Sequence, residues 1–227
     1  MLTPQEFMSY LEENGGFFGP PNVMLLKART ISNFYCDQRI FKNSLAHEDM
    51  LRQIGKVIGN EADRLGAEVI VGIVTIGAIF AEYTYYATAT YYETIDPHKE
   101  MLLSGDITGK RVMIVDDTCT SGASVKDAVQ ACEDAGAIVV GAMVTVRRDP
   151  AVTEKTVGLT SAGQEFIVFA DIDFPIINEQ PDINSTLLAK CESCECQIRL
   201  DVGYAAEDDW PKLHPEYEYV GEPKLKS

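Results

Sequence analysis

An open, mostly parallel α/β sheet with helices on both faces, followed by a small C-terminal extension, is the fold class this sequence predicts. Three observations predict it. The apolar runs EVIVGIV, RVMIV and AIVVGAMVTV have the length and uniform hydrophobicity of strands buried on both faces. Between the last two lie a polar loop, TCTSGAS, and an amphipathic stretch, VKDAVQACEDAG; strand, loop, helix, strand at that spacing makes a βαβ unit with parallel strands. Finally, 227 residues, 46% of them hydrophobic, supply one sizeable core rather than two.

The elements follow in order. Thr3 can cap a helix over Pro4 to Asn14 that ends at Gly15-Gly16. A second helix runs through HEDMLRQIGKVIGNEADRLG, with Met50, Leu51, Ile54, Val57 and Ile58 as its apolar stripe and Gly66 past its end. The strand in EVIVGIVTIGAIF breaks at Thr75-Ile76-Gly77 and leads into a helix through AEYTYYATA. A short strand follows around Tyr91 and Tyr92. The segment TIDPHKEMLLSGDITG, with Pro97, Gly105 and Gly109, reads as a loop or ribbon. After the βαβ unit, EFIVFADI supplies one more strand. From Phe174 the character changes: prolines at 175, 181, 211 and 215, three clustered cysteines and an acidic, aromatic tail. The expected division is a domain over 1–174 and an extension over 175–227.

Charge narrows the partners. A formal net charge of −16, from 35 acidic and 19 basic residues, repels nucleic acid and anionic membrane surfaces. The opening MLTPQEFMSYLEENGG has neither a basic n-region nor a long apolar run, so neither a signal peptide nor a membrane span is expected. A cytoplasmic protein follows, with Cys36, Cys119 and Cys132 as thiols in packing or loop positions.

The chemistry concentrates in RVMIVDDTCTSGAS. Two carboxylates, Asp116 and Asp117, stand where a parallel strand ends, the edge at which open α/β folds bind ligands. Backbone N–H groups at the following helix start, with the hydroxyls of Thr118, Thr120, Ser121 and Ser124, form a cradle for a phosphate dianion. Gly122 permits close approach of the backbone. The carboxylates cannot face the phosphate without repulsion, so they point to sugar hydroxyls or a hydrated metal ion.

This stretch resembles the signature that binds 5-phosphoribosyl 1-pyrophosphate (PRPP) in type I phosphoribosyltransferases. Asp116 and Asp117 match its paired acids and Thr120, Ser121 and Gly122 its loop, while Ala123 replaces a second glycine and Cys119 a hydrophobic residue. LLKARTISNFYCDQR is similar to a stretch near the start of the orotate phosphoribosyltransferases: Leu26, Lys27, Ser32, Tyr35, Asp37 and Arg39 keep its spacing, and Ala28 and Arg29 replace its Ser-Gly pair. The resemblance extends to about Asp173.

It implies an enzyme that transfers phosphoribosyl from PRPP with Mg2+ to orotate or a related base, in pyrimidine nucleotide synthesis, and works as a homodimer. Its residues would be Asp116 and Asp117 at the ribose, the segment Thr118, Cys119, Thr120, Ser121, Gly122, Ala123 and Ser124 at the 5-phosphate, and Thr75, Ile76 and Gly77 at the pyrophosphate. Lys27, Tyr35 and Arg148 would contact PRPP or base, and His98 and Lys99 would close over the pyrophosphate.

The departures keep two other readings open. The closing loop of the family carries several basic residues, but YETIDPHKEMLLSGD offers only His98 and Lys99 among acids, and Glu93 stands where a cation is usual. A PRPP- or nucleotide-binding regulator without turnover is one alternative. A transferase for another base is the other, with Ile76, Ala78 and Arg147 as altered contacts. Cys191, Cys194 and Cys196 have a spacing that can grip a structural Zn2+, with His214 as fourth ligand. Free thiols packed beneath the tail are the competing reading.

Overall fold

The computed structural model describes residues 1–18, 23–25, 31–32, 35–96, 101–102, 105–172 and 198–200. In chain order its helices are α1 (Pro4–Glu13), α2 (Glu48–Leu65), α3 (Ile76–Thr88) and α4 (Ala123–Asp134). The strands before α2 are β1 (Phe17–Phe18), β2 (Val23–Leu25), β3 (Ile31–Ser32) and β4 (Tyr35–Cys36). Then come β5 (Val69–Ile73), β6 (Tyr91–Asp96), β7 (Met101–Leu102), β8 (Arg111–Cys119), β9 (Ile138–Arg147), β10 (Glu165–Asp171) and β11 (Ile198–Leu200). A short 3-10 turn over Gln38–Lys42 follows β4.

The chain divides into two compact units, one of residues 1–16 and 37–173 and the other of 17–36 and 174–227. The second boundary falls where the composition changes. The assignment of 17–36 to the C-terminal unit has no counterpart in the linear division into 1–174 and 175–227. In that unit β1 pairs antiparallel with β4, and β2 lies between β3, antiparallel, and β11, parallel.

The larger unit is built on one sheet in the order β10-β9-β8-β5-β6-β7, parallel throughout except for β7. Alternation along the strands divides the core in two. Val69, Val71 and Ile73 of β5, Val112 and Ile114 of β8 and Val144 of β9 cluster with Val125, Ala128, Val129 and Cys132 of α4. The other face carries the intervening residues, and there Gly72 abuts Gly77 and Ala78 of α3, which in turn packs on α2. Phe41 packs between Phe7 of α1, at 6.3 Å, and Phe80 of α3, at 5.6 Å. Thr3 starts α1 with a complete capping box, its Oγ1 accepting from Glu6 N–H and Glu6 Oε2 accepting from Thr3 N–H.

Several boundaries differ from the sequence expectation. The α3 helix begins at Ile76, inside the expected break, and β6 reaches Asp96 rather than ending near Tyr92. β8 continues through Thr118 and Cys119, because β9 pairs with it that far, opposing Thr118 to Val146 and Cys119 to Arg147. Tertiary pairing overrides the turn preference of those polar residues.

Strand order locates the site. From β5 the chain moves one way to β6, then crosses back to β8 on the opposite side of β5 and continues to β9 and β10. The reversal puts a topological switch point between the carboxyl ends of β5 and β8, where open α/β sheets bind ligands.

Candidate active site

Two helices begin at this switch point. The first residues past β5 run into α3, with Thr75 as N-cap, and the tip of β8 runs through Thr120 and Ser121 into α4, with Gly122 as N-cap. Neither helix start has a side-chain cap or an acidic residue in its first turn. By contrast, α1 has its capping box and α2 carries Glu48 and Asp49 in its first turn. Unsatisfied N–H groups and an uncompensated dipole at each start favour an anion by about 0.3–1 kcal/mol per helix at an exposed site.

Close backbone packing sets the start of α3 against the tip of β8, from which α4 follows. A Cβ at Gly77 would collide with the Val115 carbonyl and lie 3.1 Å from Asp116 Cα, so only glycine allows α3 to meet β8 there. Gly122 has φ of +79°, and a Cβ on it would sit 2.9 Å from Val157 Cγ1. That left-handed turn directs the chain off β8 into α4. Thr75, Thr120, Ser121 and Ala123 are exposed, Ser124 is half-buried, and Ile76, Gly77 and Gly122 are buried. Ser121 Oγ lies 3.5 Å from the Ala123 N–H, too long to occupy it fully.

Between the helix starts stand the two acids. Asp116 is 8% exposed and Asp117 half-buried. Asp116 Oδ1 accepts from the Asp117 N–H at 2.9 Å. Burial first, and the adjacent Asp117 charge second, hold the Asp116 carboxyl well above the usual carboxylate range. Burial also raises Asp117, with a smaller push from Asp37. Asp37 is itself held by both arms of Arg39, at 2.7 Å each.

Two residues absent from the sequence reading complete this corner. Gln38, 1% exposed, donates through Nε2 to Thr118 Oγ1 at 3.0 Å, and its Oε1 accepts from Thr145 Oγ1 at 2.8 Å. The Thr145 hydroxyl also lies 2.8 Å from the Asp117 carbonyl, so its one proton is shared between two acceptors. A lone threonine in the apolar strand AIVVGAMVTV was the available signal for Thr145, since a buried hydroxyl needs a partner.

Residues 83–170 match the phosphoribosyl transferase domain. The orotate phosphoribosyltransferase of Sulfolobus acidocaldarius is 31% identical over 139 residues, 59% of this chain and 68% of that protein. That of Staphylothermus marinus is 30% identical over 158 residues, 67% of this chain and 74% of that protein. The chain belongs to the orotate phosphoribosyltransferase family. Its fold agrees with solved members of the family. Orotate phosphoribosyltransferase from Aeropyrum pernix superimposes with a TM-score of 0.59 at 18% identity, covering 82% of this chain and 96% of that one. The Mycobacterium tuberculosis enzyme in complex with inorganic phosphate gives 0.61 at 20% identity, covering 74% and 95%.

Of the positions expected from the family resemblance, the structure gathers Thr75, Ile76, Gly77 and Asp116 through Ser124 at one sheet edge. Arg148 follows β9, is 5% exposed, and donates its N–H to the Cys119 carbonyl at 2.9 Å, so it borders the same edge. Cys119 borders the loop through its backbone; its side chain is buried in the core on the α4 side, with the thiol pushed up to about 11 by burial. Arg147, suggested as an altered contact for another acceptor, has its guanidinium engaged by neighbours. Asp171 holds it at 2.6 and 2.9 Å and the Val152 carbonyl at 2.9 Å, which ties β9 to β10. Glu93 is 2% exposed with its carboxylate against Gly105. Tyr35 lies in β4. Lys27, His98, Lys99, Cys191, Cys194, Cys196 and His214 lie outside the described residues. Among the described residues no group of three or more metal-ligating side chains is gathered, and no helix is long and apolar enough to cross a membrane.

Proposed function

We propose that the chain is an orotate phosphoribosyltransferase-like enzyme that transfers the 5-phosphoribosyl group of PRPP to orotate or a related base and releases pyrophosphate. The single observation that carries this reading is the placement of two uncapped helix starts and a pair of aspartates at one switch point. PRPP has the matching pattern: a phosphate at one end, a pyrophosphate at the other and a hydroxylated ribose between.

The tasks then divide by chemistry. The α4 start, with Thr120, Ser121 and Ser124, holds the 5-phosphate, and the Thr75–Gly77 turn supplies N–H donors to the pyrophosphate. Asp116 and Asp117 face the ribose, where their charge favours the cationic character that develops at the anomeric carbon as the glycosidic bond breaks. Arg148 suits a planar carboxylate on the acceptor, and His98 and Lys99 would close the site. The hard oxygen donors of the aspartate pair, desolvated and mutually repelling, fit a hydrated Mg2+ carried in with PRPP. Magnesium, when bound, screens the pyrophosphate charge and makes it a better leaving group. A cytoplasmic homodimer accords with this reading.

The family relationship supports turnover over a purely regulatory role. Orotate consumption followed by its ultraviolet absorbance, with PRPP and magnesium, and then a panel of other bases, tests both the reaction and the acceptor. Consumption of orotate above all others is the expected result; consumption of a different base alone would reassign the acceptor.

A further inference from the structure

We infer that Gln38 is a positioning residue for the PRPP loop, acting through Thr118 and the Asp117 carbonyl; this rests on the reading of the β8 tip as a phosphoribosyl site. Gln38 opens the 3-10 turn, 80 residues before Thr118 and 107 before Thr145. Its amide is 1% exposed and makes both of its described contacts at the site's edge, one to Thr118 and one to Thr145. The neighbouring turn is held in place separately, since Asp37 accepts from the Arg39 N–H at 3.0 Å and Arg39 grips both Asp37 oxygens. The amide is therefore not needed to form the turn, and its polarity serves the strand tips instead.

The contacts at both ends of the amide carry the consequence. Gln38 Nε2 lies 3.0 Å from Thr118 Oγ1, so the buried amide holds that hydroxyl in one place at the strand tip. Thr118 is half-buried near the carboxyl end of β8. Its hydroxyl is thereby held beside the phosphate loop, where an anionic ligand can take its proton. At the other end Thr145 lies 2.8 Å from both Gln38 Oε1 and the Asp117 carbonyl, so the same amide steadies the backbone between the two acids and the phosphate loop. A hydrophobic side chain of the same length would fill the space and leave both hydroxyls without this partner.

A double-mutant cycle separates positioning from plain packing. Affinities for PRPP with magnesium, and for ribose 5-phosphate, would be measured by calorimetry on the full chain for wild type, Gln38→Met, Thr118→Val and the double variant, with melting temperatures alongside. Loss of a buried hydrogen bond to a ligand-orienting group predicts about a 5- to 30-fold weaker PRPP affinity for Gln38→Met. In the Thr118→Val background the same change is expected to cost clearly less than in wild type, because one of the two partners it acts through is gone. Thr145→Val, a milder substitution at the other end, is expected to weaken binding in the same direction and guards against misfolding of Gln38→Met. Equal losses in both backgrounds, or unchanged affinity in folded Gln38→Met and Thr145→Val with wild type binding normally, would overturn the inference and leave the phosphoribosyl reading standing. A wild type that binds neither PRPP nor ribose 5-phosphate would remove that reading and the inference with it.

Discussion

Replacing Asp116 by asparagine is expected to raise the stability of the fold while weakening its function. The amide oxygen of the Asp116→Asn side chain can accept from the Asp117 N–H as the carboxylate does at 2.9 Å, and the volume is unchanged, so what is removed is the charge. That charge sits on a residue only 8% exposed beside a second carboxylate. Two like charges about 4 Å apart repel by about 4 kcal/mol at an effective dielectric near 20, and solvent reaching the partly buried Asp117 screens part of that. A net gain of about 1–3 kcal/mol follows, or about 3–10 °C in melting temperature for a chain of this size. The pH dependence has a definite sign. Because the folded Asp116 carboxyl titrates above its unfolded value near 3.9, the native state binds more protons between the two values, and wild-type stability falls as pH rises through that window. The gap between variant and wild type is therefore widest above the raised value and closes toward about pH 4. Carboxylates held low, such as Glu68 and Glu165, have the opposite dependence but are common to both proteins and cancel in the difference. Calorimetric melts from pH 4 to 8 would measure it. A melting temperature at pH 8 equal to or below wild type, or a gap independent of pH, would refute the argument that Asp116 is a desolvated, repelled charge kept for function.

Two further expectations concern the backbone of the site. Gly77→Ala drives a methyl into the Val115 carbonyl beside Asp116, so it is expected to destabilise by about 2–3 kcal/mol and to abolish PRPP binding, read by thermal melts and titration. Cys119, with its thiol pushed up to about 11, is expected to resist iodoacetamide at pH 7.5 in the folded protein. Cys119→Val is expected to cost under about 1.5 kcal/mol and leave PRPP affinity intact; rapid labelling or lost binding would place that thiol in the cradle after all.

The order of strands and helices was legible because each parallel strand is an apolar run and each crossover a 3.6-residue pattern, both local properties. The helix starts were less legible: Ile76 and Ala123 belong to α3 and α4 because strand tips and the Gly77 and Gly122 approaches place them there. Thr118 and Cys119 read as loop residues from their polarity, yet β9 pairs with them as strand. Asp116, Asp117 and the hydroxyl-rich loop could be read directly, since paired acids before small residues at a strand end have few uses. Gln38 and Thr145 could not be paired by eye, because their contact closes over more than a hundred residues and depends on the finished sheet. The grouping of 17–36 with 174–227 is non-local in the same way.

The most direct test of the central claim is pyrophosphate release from PRPP and magnesium in the presence of orotate, comparing wild type with Asp116→Asn/Asp117→Asn. Orotate-dependent release by the wild type that the double variant loses, while remaining at least as stable to heat, is the expected result. Absence of release with orotate or any other base by a folded wild type would contradict the assignment of a phosphoribosyltransferase.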